Sequence, residues 1–177
     1  MSSPVKLAHV VLQTNNIDEL RDWWCKVLGA KVQFENDVLC FMAYDDEHHR
    51  LALAKLGEYQ PHNPETTGMH HVAFTFESLD ALLSHYEQLR DQGIKPWWAI
   101  NHGPTTSLYY RDPDGNQAEL QVDVFATAEE ANAYFHGPNF AANPVGVDFD
   151  VEDLLAQHRA GVPDEELLRR PGDVPVG

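Results

Sequence analysis

Cysteine is scarce, positive charge is outnumbered, and no long apolar run occurs. Cys25 and Cys40 are the only cysteines. Both stand in patterned apolar segments, so reduced thiols in a cytoplasmic protein are the economical expectation. Twelve Lys and Arg against 28 Asp and Glu leave a formal net charge of -16, which repels phosphate backbones and anionic headgroups and argues against nucleic acid or a membrane surface as partner. No stretch approaches the ~18 apolar residues that span a bilayer. The opening MSSPVKLAHVVLQ has no basic region leading into an apolar run, so neither export nor membrane insertion is expected. With 177 residues the chain is long enough to bury a core and line a pocket without staples. What it has in excess is histidine, ten in all, and because imidazole is the commonest metal ligand, their positions matter more than their number.

Self-similarity organises the sequence. Residues 6–56 and 68–125 each open on a short strand with an early histidine, His9 in LAHVVLQT and His71 in MHHVAFTF. A helix follows in both. In the first, Asn16 or Asp18 can cap a segment in which Ile17, Leu20, Trp24, Val27 and Leu28 recur at helical spacing until Gly29. In the second, Ser78 caps a helix carrying Leu79, Leu82, Leu83, Tyr86 and Leu89 on one face, with Gly93 as the stop. Three strand-like runs come next in each half: KVQFEN, VLCFMAY and RLALAKL, then KPWWAIN, TSLYYRD and QAELQVDV.

The expected fold is therefore α+β, with two tandem βαβββ modules forming an open barrel around a metal site, and with EYQPHNPETTG as the connector between them. Residues 1–126 make this domain. Residues 127–177 form a helical arm, starting at the capping box of Thr127 and Glu130 and continuing through DVEDLLAQHRAG. The arm is expected to pack on the domain or on a partner subunit, and a homo-oligomer is favoured over a monomer.

Residues two apart in a strand share a face, so His9 points with Val11 and Gln13, and His71 with Ala73 and Thr75. Equivalent strands of a repeated module thus offer one imidazole each. Glu119 sits between the apolar Ala118 and Leu120 in the last strand of the second module, and an inward carboxylate there needs a partner. Two imidazoles and one carboxylate form the facial triad suited to non-heme Fe(II), with positions open for substrate and O2; Mn(II) is the alternative metal. By strand parity His70 faces away from His71. His48, His62, His85, His136 and His158 have no comparable geometric support.

Residues 100–119, INHGPTTSLYYRDPDGNQAE, carry a more specific pattern: Ile100 and His102, then Leu108-Tyr109, then Asp112-Pro113-Asp114-Gly115, then Glu119. This run resembles the signature of the type I extradiol ring-cleaving dioxygenases of the vicinal oxygen chelate superfamily, in their single-domain branch. LAHVVL, HHRLALAKL and MHHVAF also resemble the catalytic domain of those enzymes. The resemblance implies His49 as acid–base catalyst, His102 as a second active-site histidine and Tyr109 as a hydrogen-bonding partner of a substrate oxygen. It implies a catechol-type diol and O2 as substrates, with meta cleavage of the ring. Independent support for His49 is partial: it shares a strand face with Leu51 and Leu53 and can stand at the mouth of an apolar pocket. Trp97 or Trp98 and Phe41 are candidate pocket walls. Glyoxalase- or epimerase-like isomerases of the same superfamily are the alternative, and a metal-free sequestering module would have no use for the matched His9, His71 and Glu119.

Overall fold

A computed structural model describes residues 2–174, and the chain separates into two compact units. The first runs to Gly68 and takes in the turn Asp112–Asn116; the second holds Met69–Arg111 and the chain from Gln117 onward.

In the first unit, β1 (Val10–Gln13) leads into α1 (Ile17–Leu28), followed by β2 (Lys31–Glu35), β3 (Leu39–Ala43) and β4 (Leu51–Ala54). Asn16 caps α1 by accepting from the Glu19 N–H, while Gly29 ends it in the left-handed region at φ 61°. Ile17, Leu20, Trp24 and Val27 are the buried face of this helix. The strand order is β1-β4-β3-β2, with β1 parallel to β4 and the remaining pairs antiparallel. All four residues of β4 are buried, as befits a strand flanked on both sides. β2 lies at an edge with Val32 and Phe34 exposed.

Trp24 explains why the turn Asp112–Asn116 belongs with this unit. Its ring is 1 % exposed, and its Nε1 donates to Asp112 Oδ2 at 3.0 Å. The Asp114 and Asn116 N–H groups and the Asn116 side chain also donate to that carboxylate. Burial nevertheless pushes the Asp112 carboxyl above its ordinary value.

The second unit repeats the plan. It holds β5 (Val72–Phe76), α2 (Leu79–Asp91), β6 (Trp98–Asn101), β7 (Thr105–Arg111) and β8 (Gln117–Asp123). Their order, β5-β8-β7-β6, is that of the first sheet, again with the first strand parallel and the others antiparallel. Ser78 caps α2, and the five residues read from its periodicity are all buried. β6 is shorter than the run KPWWAIN because Pro96 has no N–H for a ladder; pairing starts where the Trp97 N–H reaches the Tyr109 carbonyl.

After β8 come α3 (Ala128–Phe135), α4 (Pro138–Ala142), β9 (Val147–Asp148), α5 (Val151–Arg159) and α6 (Asp164–Leu167). The capping box of Thr127 and Glu130 is formed at the start of α3. β9 adds a strand beside β6. α5 is clasped to α2, where Glu152 accepts from the Tyr86 hydroxyl at 2.6 Å and twice from Arg90. The fold is α+β with two open sheets, and no helix of the described residues is long and apolar enough to cross a membrane.

Replacing Trp24 by Phe removes one donor from a buried carboxylate. The expected loss is about 1–3 kcal/mol of stability, measured by urea unfolding of Trp24→Phe against wild type; an unchanged midpoint would mean the remaining donors suffice for Asp112.

Candidate metal and substrate site

Parallel pairing of β5 with β8 sets Val72 opposite Ala118 and Ala73 opposite Glu119, which carries His71, just ahead of β5, to the carboxylate. His71 Nε2 stands 2.9 Å from Glu119 Oε2, and Glu119 is 4 % exposed between the buried Ala118 and Leu120. A buried carboxylate in apolar company requires such a partner. On its other side, His71 Nδ1 meets His70 Nδ1 at 2.8 Å. Alternation expected His70 to face away, but the ladder begins at Val72, so both histidines precede the segment in which alternation holds. Burial holds the His71 imidazole below its ordinary value, with Glu119 opposing. The neutral ring keeps a lone pair for a metal or a donor.

Antiparallel pairing extends the row. Glu119 is opposite Tyr109 on β7, and Tyr109 is opposite Trp98 on β6. The Tyr109 hydroxyl lies 3.0 Å from His102 Nε2 and also hydrogen-bonds Glu119. Burial first, then the charge of Glu119, hold the phenol above its ordinary value, so it remains protonated. Trp98 lies beside Tyr109 with ring centroids 4.8 Å apart, and His71 meets Tyr109 edge to face at 5.2 Å. An aromatic wall thus borders a set of polar atoms on one row of the sheet. His102 Nδ1 is hydrogen-bonded to the Val145 carbonyl, a contact that nothing in the sequence pattern announces.

His9 and His49 belong to the first unit and stack on each other, with ring centroids 4.3 Å apart. Phe41 covers the His49 ring at 4.7 Å and 16°. His48 Nδ1 meets His49 Nδ1 at 2.6 Å, a role that sequence reasoning missed and that only adjacency could have suggested. Burial, followed by the neighbouring His9 and His48, holds the His49 imidazole below its ordinary value of 6.5. The six residues singled out from sequence therefore fall into two sets: His71, Glu119, Tyr109 and His102 in one unit, His9 and His49 in the other. Among the described residues no group of three or more His, Cys, Asp and Glu side chains is placed to hold a metal ion. A cleft of about 670 Å³ in the first unit, bordered by Thr14, Asn15, Tyr59, His62 and Asp114, is lined by none of the six.

Residues 6–120 match the family described as the Glyoxalase/Bleomycin resistance protein/Dioxygenase superfamily. The chain belongs to this superfamily. It is 50 % identical over 170 residues to biphenyl-2,3-diol 1,2-dioxygenase 2 of Rhodococcus globerulus, covering 94 % of this chain and 88 % of that one. It is 47 % identical to biphenyl-2,3-diol 1,2-dioxygenase 3 of the same organism, covering 96 % and 90 %. Among solved structures, lactoylglutathione lyase from Agrobacterium tumefaciens aligns over 68 % of this chain and 96 % of its own, with a TM-score of 0.55 and 18 % identity; that likeness bears on the fold alone. The superfamily match contains all six candidate residues and ends before the last three residues of β8.

In this superfamily member, Phe41 stacks on the His49 ring and covers one of its faces. In Phe41→Ala the opened ring is solvated, its charged form is less penalised, and its titration midpoint by histidine NMR should rise toward 6.5. An unmoved midpoint would assign the depression to His9 and His48 instead.

Proposed function

We propose that the protein is an extradiol dioxygenase that opens a catechol-type aromatic diol with O2 at a mononuclear Fe(II) held by His9, His71 and Glu119, with Mn(II) as the alternative metal. The observation that carries this function is the likeness to two biphenyl-2,3-diol 1,2-dioxygenases at 50 % and 47 % identity along nearly the whole chain. The donor set supports the metal. His71 Nε2 and the buried Glu119 carboxylate already face one another at 2.9 Å, and His9 would supply the third ligand of a facial triad. Fe(II) bound there would lower the pKa of the diol it chelates and couple the diol electronically to O2.

The rest of the work falls to side chains. His49, held neutral by burial, takes up the proton that the diol gives up and returns it when the O–O bond breaks, a transfer suited to imidazole. Tyr109 stays protonated and donates to a substrate oxygen, with His102 Nε2 as its neighbour in that hydrogen-bond network. Trp98 presents its face along the same row and borders the aromatic ring of the substrate. Both atoms of O2 enter the product, the ring bond beside the diol opens, and a yellow semialdehyde or keto acid is formed. Cys25 and Cys40, both free thiols, agree with a cytoplasmic setting. The exposed Val32 and Phe34 on edge strand β2 favour a homo-oligomer.

Anaerobically purified protein loaded with Fe(II), or in parallel with Mn(II), should consume O2 and yield a yellow product from catechol, 3-methylcatechol or 2,3-dihydroxybiphenyl. Turnover of a hemithioacetal or an acyl-CoA with no diol cleaved would overturn the proposal. His49→Phe should keep its iron and lose roughly 10²- to 10⁴-fold in kcat, whereas Glu119→Gln should lose the iron itself. A fully active His49→Phe would remove that residue from proton transfer.

A further inference from the structure

The chain beyond residue 120 lies outside the superfamily match, yet it grips the loop that carries His102 from both ends of that residue. Arg170 is 4 % exposed, and its guanidinium reaches four acceptors: the His102 carbonyl at 3.3 Å, the Asn143 carbonyl at 2.7 Å, the Asn139 carbonyl at 2.8 Å and Asp173 Oδ1 at 2.8 Å. A buried cation spread over that many oxygens from separate segments is a tie with a fixed geometry. Asn143 passes the constraint on. Its side-chain oxygen accepts from the Val145 and Gly146 N–H groups, and its amide donates to the Gly146 carbonyl at 2.7 Å. The turn so locked aims the Val145 carbonyl at His102 Nδ1.

Space around the loop is equally committed. Gly146 takes φ 128°, and a Cβ there would come within 2.5 Å of the Asn101 carbonyl oxygen; Gly103 takes φ 100°, and a Cβ there would meet the Tyr134 hydroxyl at 2.2 Å. Tyr134 in turn donates to Asp173 at 2.8 Å.

A carbonyl can only accept, so Nδ1 of His102 must carry the proton that it donates to Val145. In the neutral ring Nε2 then holds the lone pair, and it faces the Tyr109 hydroxyl at 3.0 Å. We propose that Arg170, through Asn143 and the Val145 carbonyl, is a positioning residue that sets the tautomer and orientation of His102 toward Tyr109. The consequence for ring cleavage rests on the dioxygenase function assigned above; the tautomer does not.

Two readouts keep these apart. In diamagnetic protein, metal-free or Zn(II)-loaded, ¹⁵N-histidine NMR should find His102 in the Nδ1–H form. Arg170→Met and the milder Asn143→Ala should mix in the Nε2–H form, while Glu152→Ala, which loosens α5 from α2 without touching this loop, should leave the tautomer alone. Should Arg170→Met fail to fold, Asn143→Ala carries the measurement. A tautomer unchanged in the folded variants overturns the proposal, as does an equal change in Glu152→Ala. With Fe(II) and a diol, Arg170→Met should lower kcat roughly 10- to 100-fold, and in a His102→Phe background the same substitution should cost less than about 2-fold, since the two act as one unit. Equal losses in both backgrounds would reduce Arg170 to a purely structural residue. If His102→Phe itself is fully active, the catalytic half of the proposal falls.

Discussion

The register of β5 against β8 is the constraint on which the candidate site depends. Val72 opposite Ala118 and Ala73 opposite Glu119 bring an imidazole to a carboxylate that burial would otherwise leave costly. A slip of one residue would turn Glu119 to the opposite face and replace it with Ala118 or Leu120. The antiparallel rows then inherit the alignment, because Tyr109 and Trp98 stand in line with Glu119. One register thus determines which polar atoms meet. It is held from the opposite face of the sheet, where Leu108 stands opposite Leu120 and both are 1 % exposed.

Protonation states follow from that placement. His71 and His49 are both held toward the neutral form, chiefly by burial, which suits one to ligation and the other to accepting a proton. Tyr109 is held toward the phenol by burial and by Glu119. Its hydroxyl has a single proton and two acceptors, the His102 Nε2 and the Glu119 carboxylate. If Glu119 turns its oxygens to a cation, the Tyr109 proton is left to His102 or to a substrate oxygen. A carboxylate, a phenol and an imidazole in series therefore form a unit whose hydrogen bonds rearrange when one member finds a new partner.

The C-terminal segment has a part in this unit rather than being an appendage. α5 is clasped to α2 by Glu152, β9 extends the sheet beside β6, and Asp148 of β9 accepts from the Trp98 Nε1 at 2.8 Å. Trp98 and His102 are thus each held by a residue that comes after the repeated modules. Such support from outside fixes ring orientation where the strands themselves specify only which face a side chain leaves from.

Local pattern alone determined much of this protein. Two copies of βαβββ, the caps at Ser78 and Thr127, the choice between Asn16 and Asp18 at the start of α1, the buried faces of α1 and α2, and the strands bearing Tyr109 and Glu119 all follow from interactions within a few residues, which periodicity and capping chemistry report. The row shared by Glu119 and Tyr109 came from the ladder between β7 and β8, since in sequence Tyr109 is singled out only by the family resemblance. Only tertiary structure decided the rest. His70 bonding His71, His48 bonding His49 and Trp24 reaching Asp112, 88 residues away in the chain, depend on where the ladders begin or on which segments pack together. Arg170 looks in sequence like one of two basic residues near the C-terminus. Its burial against four acceptors arises from contacts between distant segments, for which a periodic pattern has no signal.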